Sequence, residues 1–284
     1  MTAIVNSARA ELLRLRRWPA VWVTLGAWLF LACLFGYAFN YVAYTTGGSN
    51  FASEELGRQE IFAALLPEAL PSVLVQGMPM FGGALMLVLG AISAGNGYAY
   101  GTWKTIYTQG PSRSAATAGS LLALTAFVLG VLLATLALFA TITGLIALTE
   151  AESVVWPAFA ELARSFGAGF LVLEMWMLAG YFLGTVARSP ALSVGLGLVW
   201  TLVLEMLLRG VGGLLGPIET FTQVLPGTAA GSLVGAVIGG DAAALDTPGV
   251  LDVLSGPTAA LSMAVYLVVL AIGTMLLIRR RDVA

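Results

Sequence analysis

The sequence contains no histidine and a single cysteine, Cys33. Without histidine the chain lacks the commonest general base, metal ligand and axial haem ligand. A lone cysteine forms neither an internal disulfide nor a cysteine metal cluster. Redox, zinc and triad chemistry are therefore disfavoured. Charge is also scarce: 10% of the 284 residues are charged, against about a quarter in soluble domains. Lys104 is the only lysine among thirteen basic residues. No G-x-x-x-x-G-K-[ST] string occurs, so the chain has no phosphate-cradling loop of that kind. Nothing in the composition or charge pattern points to nucleic acid. The richness in Ala, Gly and Leu, with arginine used in place of lysine, suggests a prokaryotic gene.

What the chain does have is apolar length. With 59% hydrophobic residues it has too few polar groups to coat a soluble surface, and a bilayer is the natural solvent. A spanning helix needs roughly 20 mostly apolar residues to cross ~30 Å of hydrocarbon. Six runs qualify: 19–44, 74–94, 120–148, 165–187, 191–208 and 257–278. The first follows Arg9, Arg14, Arg16 and Arg17, as a signal peptide would. It is much longer than the ~7–15 apolar residues of such a signal, and no clean cleavage site closes it, so it reads as a retained helix. The expected fold is an all-α integral membrane protein with six transmembrane helices in one domain.

Orientation follows the arginines, which favour the cytoplasmic side. With both termini inside, the cytoplasmic side holds Arg9, Arg14, Arg16, Arg17, Lys104, Arg113, Arg188, Arg279, Arg280 and Arg281, ten of the thirteen basic residues. Arg58, Arg164 and Arg209 fall outside, with most of the acids: Glu54, Glu55, Glu60, Glu68, Glu150, Glu152, Glu161, Glu219, Asp241, Asp246 and Asp252. The inverted arrangement would place ten basic residues on the wrong side. The expected location is a prokaryotic cytoplasmic membrane.

Four of the segments between or before the runs carry a readable pattern. Residues 1–18 place Ile4, Ala8, Leu12 and Leu15 at helical spacing among arginines, which predicts an amphipathic helix on the inner membrane surface. Residues 95–119 form an inner loop whose Trp103, Ile106 and Tyr107 make an apolar stripe, closed by Gly110-Pro111. That pattern predicts a short helix suited to docking on another protein; an interfacial loop with aromatics at headgroup level is the plainer alternative. Residues 45–70 predict an outer acidic loop with a helical stretch over 53–66. Residues 209–256 are rich in Gly and Ala and broken at Gly216-Pro217, Pro226-Gly227 and Pro248-Gly249. They predict two short helices, over 214–224 and 228–238, dipping into the outer leaflet as a re-entrant gate or a capping hairpin.

Six spans, an amphipathic amino-terminal helix and the string Gly101-Thr102-Trp103-Lys104 followed by Gly110-Pro111-Ser112-Arg113 together resemble the ABC-2 type permeases, the membrane subunits of type V ABC exporters. The string is similar to that family's E-x-x-x-G-T…P-x-x-R loop, a coupling element that sits in a cleft of the ATPase. The resemblance in layout covers nearly the whole chain; the motif itself is short. Two positions depart from it. Gly97 stands where the family usually has glutamate, with Asn96 as a neighbouring substitute, and Gly119-Ser120 stands where a lysine often opens the third span. The resemblance implies a dimer of permease subunits, with a homodimer as the expectation. It also implies a separate ATPase that binds ATP and Mg and docks on residues 95–119 near Arg14, Arg16 and Arg17. In that picture the chain binds no cofactor and is not itself an enzyme.

Two carboxylates fall within spans, Glu174 and Glu205. A charge at mid-bilayer costs at least ~2.5 kcal/mol on insertion scales, so such groups face the bundle interior or a partner. Glu205 has Arg209 at i,i+4, the spacing of an ion pair. Glu174 has no basic residue within one turn and either faces a substrate pathway or bonds a neighbouring helix. Gly180 and Gly184 form a GxxxG pair for close helix contact, within the subunit or at a dimer seam. Trp22, Trp28, Phe30, Phe35, Tyr37, Phe39, Tyr41 and Tyr44 crowd the first span and meet either an apolar substrate or lipid. An exporter subunit moving a hydrophobic or amphipathic substrate is the leading reading. A stand-alone secondary transporter or channel is the alternative, and an intramembrane enzyme is a more distant one. In a Cys33→Ser background, a cysteine introduced by Arg113→Cys is expected to react with an impermeant thiol reagent only from the cytoplasmic side. Labelling from outside intact cells would reverse the assigned orientation.

Overall fold

A computed structural model describes residues 2–47, 57–150, 154–212, 216–239 and 247–280. Every element among them is helical. In chain order they are α1 (Thr2–Arg17), α2 (Pro19–Thr46), α3 (Arg58–Ala63), α4 (Pro67–Ala99), α5 (Thr102–Gln109), α6 (Arg113–Glu150), α7 (Phe159–Ala187), α8 (Pro190–Gly212), α9 (Gly216–Gln223), α10 (Pro226–Ile238) and α11 (Gly256–Arg280). Six of them, α2, α4, α6, α7, α8 and α11, are long and apolar enough to cross a membrane. This is the architecture of a multi-pass membrane protein.

The ends of the six differ from the sequence expectation in one direction. Helix α4 begins at Pro67 rather than 74, and α6 begins at Arg113 rather than 120. At a 1.5 Å rise, the 38 residues of α6 extend about 57 Å, well beyond ~30 Å of hydrocarbon. Hydropathy marks only the apolar part of a helix, so turns that continue past it go unseen. The loop expected over 95–119 shrinks accordingly, and its flanks belong to α4 and α6. Of the helix expected over 53–66, the described residues form α3, which ends at Ala63; the 3-10 turn Pro67–Ala69 beyond it opens α4. Glu54, Glu55, Glu152, Asp241, Asp246, Arg281 and the start of the helix expected over 214–224 lie outside the described residues.

Helices α4 and α7 form the centre of the bundle. In their most apolar stretches 61% of residues are buried, against 17% in α8 and α11. The two meet backbone to backbone. A Cβ on Gly90 would stand 2.9 Å from the Tyr181 nitrogen, one on Gly180 2.9 Å from the Ala91 nitrogen, and one on Gly184 2.6 Å from the Ala91 oxygen. The Gly180/Gly184 pair therefore serves packing within the subunit. Small residues permit this approach where lipid supplies no hydrophobic push between helices. Met86, Leu87 and Leu89 of α4 and Val172, Leu173, Met175 and Met177 of α7 are all buried.

The outer helices pack on this pair and on each other, with specific polar and close contacts among them. The Trp28 indole of α2 donates to Thr135 Oγ1 of α6 at 2.9 Å. Thr143 of α6 donates to the Leu65 carbonyl at 2.7 Å. Helix α8 crosses α4 at Gly95, where a Cβ would lie 2.7 Å from the Pro190 nitrogen, and Gly273 of α11 faces the Phe182 ring of α7. Three long helices contain a π-helical turn: Leu34–Ala38 in α2, Met78–Gly82 in α4 and Val199–Leu204 in α8. Pro79 accounts for the one in α4, because it cannot donate the regular helical hydrogen bond.

Between α8 and α11 the chain forms α9 and α10. The 13 residues of α10 extend about 20 Å, too short to cross. Its residues from Thr228 through Gly235 are all buried, packed against α4, α7 and α11. The irregular stretch that follows is hydrogen-bonded back onto it: Leu251 N–H donates to the Gly231 carbonyl at 3.2 Å and Leu254 N–H to Ser232 Oγ at 3.1 Å. Gly180→Leu is expected to cost about 1–3 kcal/mol of stability through overpacking, read as a lower Tm in detergent. Gly130→Leu, at a position with open space around its Cα, is expected to leave Tm unchanged.

Candidate functional site

The basic residues gather where α1 meets the ends of α4 and α6 and the start of α8. Helix α1 lies on α6. Its contact face carries Ser7 and Ala8, and a Cβ on Gly119 would stand 2.5 Å from Ser7 Cβ and 2.7 Å from the Ala8 nitrogen. Ser120 Oγ donates to Glu11 Oε1 at 3.1 Å. Arg14 pairs with Glu11 and also donates to Ser93 Oγ of α4 at 3.1 Å. Leu15 is buried. Leu12, expected on the apolar stripe, is exposed together with Val5 and Leu13, and Arg9, Arg16 and Arg17 are exposed too. The helix thus turns one face to α6 and α4 and leaves a mixed apolar and basic face free.

The string 101–113 folds as a bracket between α4 and α6. Gly101 adopts φ +65°, a left-handed conformation that starts α5 and that glycine reaches without strain. Trp103 is 7% exposed. Its indole nitrogen donates to the Ala94 carbonyl at 3.1 Å, and its ring lies on Gly97, where any Cβ would overlap it. Tyr107 stacks on Trp103 at 5.6 Å with rings 14° apart. Arg113 lies 5.9 Å from the Tyr107 ring centroid, and Tyr98 stands 6.4 Å from Trp103 with Arg188 over it at 5.7 Å. A ladder of three aromatic rings between two guanidinium groups therefore links α4, α5, α6 and the α7–α8 junction. Arg188 reaches it from a left-handed backbone conformation, φ 52°. Ser112 caps α6, its Oγ accepting from Ala115 N–H at 3.3 Å. Burial pushes the Tyr107 hydroxyl up to about 12, so it stays neutral through the physiological range.

Of the residues singled out in the sequence, Trp103, Tyr107 and Arg113 come together in the ladder, with Ile106 half-buried beside them. The expected docking stripe thus faces inward and anchors α5 to its own bundle. Thr102, Lys104, Thr105, Thr108 and Ser112 are exposed, while Pro111 is half-buried. Pro111 and Arg113 are separated by one residue, a shorter spacing than P-x-x-R. A cavity of about 200 Å³ remains between α1, α4 and α5, lined by Glu11, Arg14, Trp18, Asn96, Tyr100 and Trp103. Glu11 is the site residue that sequence reasoning passed over. Its signal was an acid set among four arginines and three residues before Arg14.

A second polar cluster lies at the opposite end of α8. Glu205 is 1% exposed. Its Oε2 accepts from Arg209 at 3.3 Å, its Oε1 accepts from the Trp200 indole at 2.9 Å, and the Gly227 N–H at the start of α10 adds a third donor. A Cβ on Gly227 would collide with the carboxylate. The Glu205–Arg209 pair read from spacing is present, and Trp200 and Gly227 were not foreseeable from i,i+4 logic. Glu174 is 6% exposed and accepts from Thr125 Oγ1 of α6 at 2.6 Å. Its second oxygen has no hydrogen-bond partner among the described residues. Among those residues no group of three or more acids or thiols lies close enough to hold a metal ion.

The chain matches no protein-family model, and no curated protein matches its sequence. The geometry at the basic end is that of a rigid bracket, and it makes one variant diagnostic. Gly97→Glu is expected to expel Trp103 and release α5. Because Lys104 is the only lysine, a lysine-specific protease cuts there alone. Its cleavage rate should rise about tenfold or more if docking is weakened by ~1.4 kcal/mol. An unchanged rate would mean that Trp103 does not hold the helix.

Proposed function

We propose that this chain is the permease subunit of an ATP-driven exporter, similar to the ABC-2 type, that moves a hydrophobic or amphipathic substrate across or out of a prokaryotic cytoplasmic membrane. The observation that carries the reading is the bracket at the basic end. A short helix projects between two long ones, stacked rigidly onto both, with Lys104, Thr105 and Thr108 turned outward. A push on that exposed face is transmitted to α4 and α6 with little local give, as a rigid lever requires. In this reading a separate ATPase subunit binds ATP and Mg and docks on α5, with Arg16 and Arg17 nearby. A second copy completes the pathway, and both termini are cytoplasmic. The buried α10, held by Glu205, serves as the outer gate.

A second reading has one observation in its favour. The Glu174 oxygen that has no partner among the described residues offers a proton-carrying group inside the bundle, as a stand-alone proton-coupled transporter would use. Co-purification with a Walker-motif ATPase separates the two. The complex is expected to form with the native chain and to weaken severalfold with Lys104→Glu and Thr105→Glu, while Tm stays unchanged. Transport by the purified chain in liposomes, driven by a proton gradient without nucleotide and lost in Glu174→Gln, would overturn the ATPase reading.

A further inference from the structure

A cavity of about 180 Å³ lies between α2, α4 and α6, far from the bracket, and closes against Thr247 and Pro248. Its walls are Trp28, Phe35, Leu74, Gly77, Phe81 and Phe139. The Trp28 nitrogen is spent on Thr135, so the ring presents only its apolar face. The polar residues at the cavity's end, Gln76 and Thr247, are bonded to each other at 2.5 Å. A cavity of ~150 Å³ with similar aliphatic and aromatic walls stays dry and accepts benzene. The space here therefore fits an apolar group on the order of six carbon atoms.

The mouth decides the occupant. Phe35 and Phe81 stack at 5.5 Å, 9° apart, and Phe35 is exposed. Both rings sit on π-helical turns, Leu34–Ala38 and Met78–Gly82, a local widening common at functional positions. The mouth continues through Phe35, which packs edge to face on Phe39 at 5.4 Å, onto the exposed apolar face of α2 that carries Phe39 and Val42. In a bilayer that face meets acyl chains, so the cavity opens sideways into hydrocarbon rather than towards water. We propose that it is a binding site for the acyl chain of a membrane lipid, which enters laterally past the Phe35–Phe81 stack and lies against Trp28. The gain comes from filling a void whose lining otherwise lacks contacts on one side, not from leaving water. The site goes beyond the transport reading and does not depend on an ATPase.

The test uses the full chain in nanodiscs containing a phosphatidylcholine with a diazirine near the end of its acyl chain. Photolysis is followed by mass-spectrometric mapping of the adducts. Adducts at Leu31, Phe35 and Phe81 are expected severalfold above those at Leu207 and Val265, which are apolar positions on α8 and α11 and more exposed than any of the three. Ala32→Phe, which fills the cavity from α2, is expected to bring the excess down to that background. Leu31→Phe fills the same wall if the first variant does not fold. Even labelling of all exposed faces, or an excess that survives a folded filling variant, would overturn the site. No nucleotide or partner is present in the assay, so its failure would leave the exporter reading standing, and loss of the exporter reading would leave this site standing.

Discussion

The contact of α4 with α7 is the constraint on which the other contacts rest. Gly90, Gly180 and Gly184 bring two backbones within reach of each other, which in hydrocarbon substitutes for the hydrophobic force that assembles soluble cores. Once that pair is set, the ends of α4 are placed. One end carries Gly95 and Gly97, the seats for α8 and Trp103. The other carries the π-helical turn at Met78–Gly82, against which Gly249 and the cavity walls lie. A shift in the α4–α7 register would therefore displace the basic-end bracket and the opposite-end cavities together.

At two of the positions that depart from the ABC-2 pattern, a neighbouring group fills the space of a side chain. At Gly97 the Trp103 indole occupies the space a side chain would need, and at Gly119 the backbone of α1 does. A glutamate or lysine at either position is sterically incompatible with this arrangement. A carboxylate at this end, Glu11 of α1, joins Arg14, Ser93 and Ser120 in one network. The amino-terminal helix is thus part of the bracket as well as a candidate membrane-surface element. Its exposed Val5, Leu12 and Leu13 remain free for lipid.

The buried acids illustrate how polar groups are tolerated in such a bundle. Glu205 gathers donors from Trp200, Arg209 and the first turn of α10, so a single carboxylate ties a short buried helix to a peripheral long one. An unpaired charge at that depth would be expensive. Glu174 accepts from Thr125 of α6 and keeps one oxygen without a partner among the described residues.

Local composition by itself determined the number of long apolar helices and indicated the amphipathic α1, because apolar length and helical spacing are properties of contiguous residues; over 95–119 it left a short helix and an interfacial loop both open. It also indicated the Glu205–Arg209 pair, since i,i+4 neighbours meet in any helix. Tertiary structure alone decided that Trp103 and Tyr107 face inward, that Glu11 reaches Ser120 across 109 residues, that Gly227 receives the Glu205 carboxylate, and that α10 lies buried. These outcomes depend on which helix faces which, and a period of 3.6 residues marks a face without naming its partner. The polar ends of α4 and α6 escaped for a related reason: hydropathy follows the solvent around a helix, whereas its hydrogen bonds continue past that solvent's edge.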